Sequence, residues 1–366
     1  MATVKLGDIA IEAKSSNKGD KTGIRIVGLE HLTPSNVTLS SWNEDTENTF
    51  TKEFSKGDVL FGRRRAYLKK AAVAPFDGIC SGDITVIRAI EDKVDPDLLP
   101  FIIQNDFLFD FAVGKSAGSL SPRVKWTHLK EFAIELPLMP EQSKLAETLW
   151  SINETKNAYE DLINKTDELV KSQFIEMFGN PVTNTKGWKT AKIKDVAPEM
   201  PSKEQLSGKI WLLNLDMIES NTGRIIEKVY EDVENALSVQ SFDEGNVLFS
   251  KLRPYLNKVV IPDEPGMATT ELVPLRPEPS KLHKVFLSHM LRGNQFVNYA
   301  NDIAGGTKMP RMPLTELRNF DCILPPMDKQ LEFVFIAEQA DKSKSVIQKA
   351  LVYLNDIQSD ELGKIA

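Results

Sequence analysis

The chain has 366 residues, 41% hydrophobic and 27% charged, a formal net charge of −7 and two cysteines. That length suits two or three globular domains, and Cys80 and Cys322 are too few for a disulfide framework, which makes a reduced cytoplasmic protein the expectation. No signal peptide and no apolar run near roughly eighteen residues is present, so neither export nor a membrane span is expected.

Residues 5–12, KLGDIAIE, form an opening segment whose counterpart, KIKDVA at 192–197, begins the second half. A polar section follows through residue 56, broken by a predicted strand IRIVGL at 24–29, which IWLLNL at 210–215 answers. The repeat then becomes explicit. GDVLFGRRRAYLKKAAVA (57–74) aligns without gaps on GNVLFSKLRPYLNKVVIP (245–262) at an offset of 188, with eight identities in eighteen positions. Each copy predicts a Gly turn, an apolar strand, a basic crossing and a second strand. DITVIRA and ELVPLRP follow at the same offset as further strands, and helical patches are expected over 98–111 and 284–299.

A glycine-containing loop closes each globular part, SAGSLSPRVKWTHLKEFAIELPLMPEQ (116–142) against AGGTKMPRMPLTELRNFDCILPPMDKQ (304–330). Gly118 falls on Gly306, Pro122 on Pro310, Arg123 on Arg311, Leu129 on Leu317, Phe132 on Phe320, Pro137 on Pro325 and Gln142 on Gln330. The Pro-rich ends punctuate the passage into a helix.

From 141 to 178 the sequence predicts one long helix, free of Pro and Gly, with Leu145, Leu149, Ile152, Tyr159, Ile163 and Val170 at three- and four-residue intervals. So narrow a stripe predicts a coiled-coil seam, and a helix of roughly 55 Å needs a partner. Gly179-Asn180-Pro181 stops it. The partner is the second run, 328–362, with Phe333, Ala337, Ala340, Ile347, Leu351 and Leu354 on its stripe. Residues 141–180 hold eight Asp/Glu and four Lys/Arg, and 328–366 hold seven and five, so the helices account for −6 of the net charge. The remainder is nearly neutral and has local basic clusters.

The expected architecture is α+β: two repeated mixed α/β domains at 1–140 and 181–327, separated by long helices at 141–180 and 328–366 that pair antiparallel as a coiled coil. A tandem repeat so arranged is pseudo-twofold, with one globule at each end of a rod. A parallel pairing would need a connection running back the whole helix length. Two similar heads a fixed distance apart suit duplex DNA, and at about 3.4 Å per base pair the rod covers on the order of sixteen base pairs.

The leading DNA-contact candidates are the basic crossings, Arg63, Arg64, Arg65, Tyr67, Lys69 and Lys70 in the first half and Lys251, Arg253, Tyr255 and Lys258 in the second. Arg forks onto guanine or clamps phosphate, Lys supplies a point charge, and Tyr stacks or donates. The competing reading is an edge strand whose Lys and Arg only guard against aggregation. The loops are the second candidates: Lys115, Ser116, Gly118, Ser119, Arg123 and Lys125, against Gly305, Gly306, Thr307, Lys308 and Arg311. Glycine permits close backbone approach, and hydroxyl and amide groups hold phosphate oxygens. The plain alternative is a turn before a strand.

Catalytic motifs fail on inspection. Gly114-Lys115-Ser116 resembles the end of a phosphate-binding loop, but Phe109 stands where the required glycine should be. Pro325-Pro326 lies between Leu324 and Met327, which offer no polar group for a target amine. His31, His128, His283 and His289 lack metal-ligand spacing, and a Glu131/Glu135 pair is routine surface chemistry.

Two globules, each closed by a Gly-Ser/Thr loop and a strand ending Leu-Pro-x-Met-x-x-Gln, and each followed by a long helix, resemble the DNA-specificity subunit of type I restriction-modification systems. The resemblance spans the chain and is carried by GDVLFGRRRAYLKK with GNVLFSKLRPYLNK, by the paired loops, and by FIEMFGNP at 174–181. It implies a non-catalytic subunit in which each globule is a target recognition domain reading half of a split double-stranded DNA sequence. The helices would be the spacer and the docking site for two modification subunits, which bind S-adenosylmethionine and methylate adenine N6. Restriction subunits using ATP and magnesium would join them, and none of those cofactors would bind this chain. The second helix ends at GKIA without a counterpart of FIEMFGNP, so its last turns are expected to fray. Arg63-Arg64-Arg65 against Lys251-Leu252-Arg253, and Ala66 against Pro254, predict an asymmetric target. The contrasting hypothesis is a coiled-coil adaptor joining two protein partners without DNA.

Overall fold

The strand Val59–Gly62 is apolar throughout because both of its faces are covered. Val59 and Phe61 join the core built with the helices and the chain ends, while Leu60 joins a second core with Val27, Phe54 and Cys80. Side chains alternate across a strand, so a run buried on both faces has no polar position. The counterpart Val247–Ser250 divides in the same way, Val247 and Phe249 to one core and Leu248 to the other. Burying each such side chain contributes about 1.5–3 kcal/mol.

The computed structural model describes residues 2–44, 47–118, 120–204, 206–232 and 239–365. The chain divides into two compact units, Met1–Glu160 with Gln348–Ala366, and Asp161–Ile347. This partition cuts through both long helices, whereas the division expected from sequence has its boundaries at helix ends. Each unit owns a globule, part of the helix that follows it and part of the other helix.

In the first unit, Ala10–Glu12, Ile84–Ala89, Val59–Gly62 and Ala71–Val73 form an antiparallel sheet in that order. A second sheet runs Asn43–Glu44, Arg25–Val27, Gly78–Cys80, Lys52–Phe54, its central pair parallel. Ala2–Lys5 pairs with Ala133–Leu136. The second unit repeats this with Val259–Val260, Val247–Ser250 and Leu272–Leu275. Its other sheet runs Val229–Asp232, Lys209–Leu213, Gly266–Thr269, Val239–Phe242, again with a parallel central pair. Registers match across the repeat, Val59 opposite Ile87 and Val247 opposite Leu275.

Each expected helical patch is two helices. Leu99–Ile103 and Asp106–Gly114 are separated by Asn105, whose side chain accepts the Phe107 N–H and caps the second. Lys284–Arg292 and Asn294–Asp302 are separated by Gly293, and the His283 ring caps the first of them.

The long helices span Met139–Phe178 and Met327–Gly363. Each is anchored in its first turn by a buried glutamine. Gln142 accepts the Asp95 N–H and donates to Pro137 O, both at 2.9 Å. Gln330 accepts the His283 N–H and donates to Lys281 O and Pro325 O, all at 2.9 Å. Within the first unit the two helical segments run in opposite directions: Lys156 donates to Gln358 at 2.9 Å, and earlier on one helix Leu149 shares a core with Leu362, later on the other. Within the second unit Lys344 meets Asp167 at 2.5 Å, and Phe174 and Phe178 pack edge-to-face against Phe333 with ring centroids 5.2 and 5.8 Å apart.

Leu149, Ile152, Val170, Phe333 and Ala337 are buried, whereas Leu145, Tyr159, Ile163, Ala340, Ile347, Leu351 and Leu354 are half-buried. Positions beside a globule are enclosed; positions away from it are covered on one side only. The expectation that the second helix frays is overturned. It continues to Gly363, and Leu362 and Ile365 lie in the core of the first unit, Leu362 occupying the place that Phe174 has in the repeat.

Candidate nucleic-acid interface

Each basic crossing is a short 3-10 turn, Ala66–Leu68 or Pro254–Leu256, held between two left-handed residues. Arg65 and Lys69 have φ of 54° and 50°, and Arg253 and Asn257 of 49° and 48°. A non-glycine residue avoids that region unless its surroundings hold it there. Here the glycine loop does the holding. The Arg65 N–H donates to Pro122 O at 2.8 Å and the Val124 N–H to Arg63 O at 3.0 Å. In the second unit the Arg253 N–H donates to Pro310 O at 2.7 Å and the Met312 N–H to Lys251 O at 2.9 Å.

The loops are hairpins. Ala117 and Arg123 exchange backbone bonds of 3.1 and 3.0 Å, as do Gly305 and Arg311 at 3.1 and 2.9 Å. Gly118 and Gly306 have φ of 116° and 101°, accessible to glycine and strained for other residues. The two candidate groups inferred separately from sequence are therefore one ribbon in each unit: crossing, hairpin and the bonds joining them.

Within the ribbon the charged side chains divide by partner. Arg123 forks onto Asp83 at 2.7 and 3.2 Å, with Arg64 at 3.6 Å from the same carboxylate and bonded to Ser121 Oγ at 2.6 Å. The Arg123 hydrogen bond holds the Asp83 carboxyl below its ordinary range. Arg311 forks onto Glu271, its Nε and Nη2 both donating to Oε1 at 3.0 and 2.9 Å and Nε also reaching Oε2 at 3.2 Å. Lys69 pairs with Asp106 at 2.6 Å. Lys70 donates to Leu29 O at 2.7 Å and Lys258 to Leu215 O at 2.6 Å, each tying the crossing to the end of the neighbouring strand. Burial pushes the Lys258 ammonium below its usual pKa. Ser116 donates to Ala112 O at 2.8 Å, closing its own helix.

Among the described residues, Arg63, Arg65, Lys115 and Lys125 in the first unit, and Lys251, Arg253 and Lys308 in the second, have no carboxylate within 4.0 Å. The Nε atoms of Arg63 and Arg253 are buried without a hydrogen-bond partner. Tyr67 and Tyr255 stand 55% and 51% exposed on the two turns, and Thr307 is exposed in its loop. Ser119 lies outside the described residues.

Sequence reasoning missed Asp83 and Glu271, single acids at the start of strands, although their offset of 188 was a usable signal. It also missed Leu120, 91% exposed at a hairpin tip. A cleft of about 470 Å³ in the second unit, lined by Val170, Phe174, His289 and Arg292 among others, belongs to the helix-facing side of that globule. There, burial, aided by Arg292, Lys344 and Lys171, drives the His289 pKa well below its usual value.

Among the described residues no group of three or more His, Cys, Asp or Glu could hold a metal ion, and no helix is long and apolar enough to cross a membrane. Cys80 and Cys322 are free and buried, which raises each thiol to about 12.

The family described as "Type I restriction modification DNA specificity domain" matches twice, over residues 1–168 and 185–352. The type I restriction enzyme EcoDI specificity subunit of Escherichia coli is 22% identical over 315 residues, 72% of this chain and 70% of that protein. Among solved structures, the S subunit of a type I restriction-modification system from M. genitalium superposes with a TM-score of 0.57 at 13% identity, covering 99% of this chain and 95% of that one. A chain from a structure of complex assembly and conformational transition of the type I R-M system gives 0.55 at 18% identity, covering 99% and 96%. The two family matches take in most of both halves, and the chain belongs to the type I restriction-modification specificity subunits, the non-catalytic DNA-recognition subunits of those systems.

Proposed function

We propose that this chain reads a split duplex target, each unit binding one half-site through its crossing-and-hairpin ribbon. The observation that carries the reading is the ribbon itself, built twice in matching register. In both copies an Arg, a Lys and a Tyr are at least partly open to solvent with no carboxylate partner among the described residues, Arg65, Lys115 and Tyr67 in one and Arg253, Lys308 and Tyr255 in the other. Protonated side chains of this kind seat phosphates, and their forks and rings discriminate bases. An adaptor joining proteins without DNA has no use for a duplicated basic ribbon.

In this reading the two long helices pair antiparallel as a pseudo-twofold coiled coil, fix the gap between half-sites, and offer the surface on which two modification subunits dock. The residues assigned to the spacer are 141–180 and 328–366, with recognition domains at 1–140 and 181–327. S-adenosylmethionine would sit on the modification subunits that methylate adenine N6, and ATP and magnesium on restriction subunits where those join, all in the cytoplasm. The ribbons differ at Arg63/Lys251 and Arg64/Leu252, so the two half-sites should differ.

Methylation profiling of host DNA with and without the gene tests this. The expected result is one asymmetric bipartite motif that disappears with the gene, and Arg65→Ala should weaken recognition of one half only. An unchanged methylation profile would reject the reading.

A further inference from the structure

The acids inside the ribbons are anomalous for a surface that meets a polyanion. Asp83 and Glu271 occupy the same place in the two units, each with its own backbone carbonyl accepting from the crossing, the Arg63 N–H and the Lys251 N–H respectively, both at 3.0 Å. Each carboxylate takes the hairpin arginine in a fork. Tethering a cationic side chain needs only an acceptor, and where Lys70 and Lys258 tie the crossing to a neighbouring strand that acceptor is a neutral carbonyl. A carboxylate does something a carbonyl does not: it cancels the charge it holds.

Resting on the DNA-reading function proposed above, we propose that Asp83 and Glu271 are specificity-determining positioning residues, which fix the hairpin arginines and withhold their charge from phosphates of unrelated sequence. Non-specific binding is almost wholly electrostatic, while specific binding adds base contacts. Internal counter-ions lower the first more than the second and widen the ratio between them. The first unit has Arg64 beside the Arg123 fork and the second has Leu252 in its place. The latch is thus singly positive in one unit and neutral in the other, and the second unit is the more restrained.

The test is Asp83→Asn and Glu271→Gln, singly and together, in the full chain purified with its modification subunits. Anisotropy against a random 30-base-pair duplex and against the methylation-defined target would be followed over a salt series. Each freed arginine that reaches a phosphate steepens the log–log salt dependence by about 0.9 and raises non-specific affinity on the order of eightfold at 0.1 M salt. The specific-to-random ratio falls correspondingly. A carboxylate serving only to hold the loop predicts the opposite, weaker binding to both duplexes, and that result or no change overturns the inference. Asp83→Asn with Arg123→Gln removes both charges; return of the random-duplex affinity to wild type supports the inference, and continued excess overturns it. If the wild-type complex binds neither duplex, the DNA-reading function itself fails, a result separable from the behaviour of the variants.

Discussion

Gln330→Leu tests whether the glutamine that closes each Leu-Pro-x-Met-x-x-Gln segment fastens the globule to its helix. Leucine nearly conserves volume, so the change removes polar partners without opening a large cavity. The Gln330 side chain is fully buried and its loss strands three groups: the His283 N–H, Lys281 O and Pro325 O. A stranded buried group costs about 1–3 kcal/mol. Pro325 O is buried, whereas the other two lie nearer solvent and recover part of the loss from water, which sets the expected destabilisation at about 3 kcal/mol. Gln142→Leu strands only the Asp95 N–H and Pro137 O and should cost about 2 kcal/mol. Urea unfolding followed by tryptophan fluorescence reads both, with Trp188 and Trp211 reporting on the second unit. A loss below about 0.5 kcal/mol for Gln330→Leu, or a larger loss for Gln142→Leu, would refute the assignment of these residues as fasteners.

His289 is held neutral in the fold, while in the unfolded chain it takes a proton near pH 6.5. Below that pH the unfolded state binds the extra proton, so stability should fall by up to about 1.4 kcal/mol per pH unit until the depressed folded pKa is reached. His289→Phe, which installs the residue present at the equivalent Phe101, should flatten thermal stability between pH 6.5 and 5; an unchanged slope there would exclude His289 as its source. Arg65→Ala should weaken random-duplex binding and reduce the salt slope by about 0.9, whereas Asp83→Asn with Arg123→Gln, which removes a cation together with the acid that cancels it, should leave that slope nearly unchanged. Equal slopes for the two variants would show that the Asp83 pairing does not persist on DNA. Deleting one heptad from both long helices should shorten the preferred gap between half-sites without changing the bases read, and an unaltered gap in the methylation profile rejects the spacer role.

Periodicity and repetition made the frame legible. A stretch near forty residues without Pro or Gly, carrying an apolar stripe, has few alternatives to a long helix, and both helices occur within two residues of the sequence-derived bounds. The VLF strands were legible for a similar reason, since alternation vanishes only where both faces are buried. Pairing was not legible. Nothing in the local pattern separates Arg123, committed to Asp83, from Arg65, which has no acid beside it, because the distinction depends on residues forty positions away. Nor could the pattern place the breaks at Asn105 and Gly293, where capping interrupts an otherwise continuous helical patch. Leu362 illustrates the same limit from the other side: the end of a chain looks free to fray until the core that covers it is known.

The offset of 188 separates two kinds of ribbon residue. Positions kept in both units include Gly118/Gly306, Pro122/Pro310, Arg123/Arg311 and Lys70/Lys258. Each supports the frame, as a left-handed turn, a backbone acceptor, a fork onto an acid, or a tie to a strand. Positions that change, Arg64/Leu252, Lys115/Ile303, Leu120/Lys308 and Lys125/Pro313, are half-buried or exposed. Arg65/Arg253 and Tyr67/Tyr255 break this division, being kept yet without a side-chain partner among the described residues. Both arginines also retain a left-handed backbone that asparagine or glycine would adopt with less strain. A residue retained at such a place in both units, against its own backbone preference, must serve something the two half-sites share. If the chain reads two different half-sites as proposed, what they share is the phosphate backbone, and Arg65, Arg253 and their tyrosines would hold the duplex while the residues that differ read the bases.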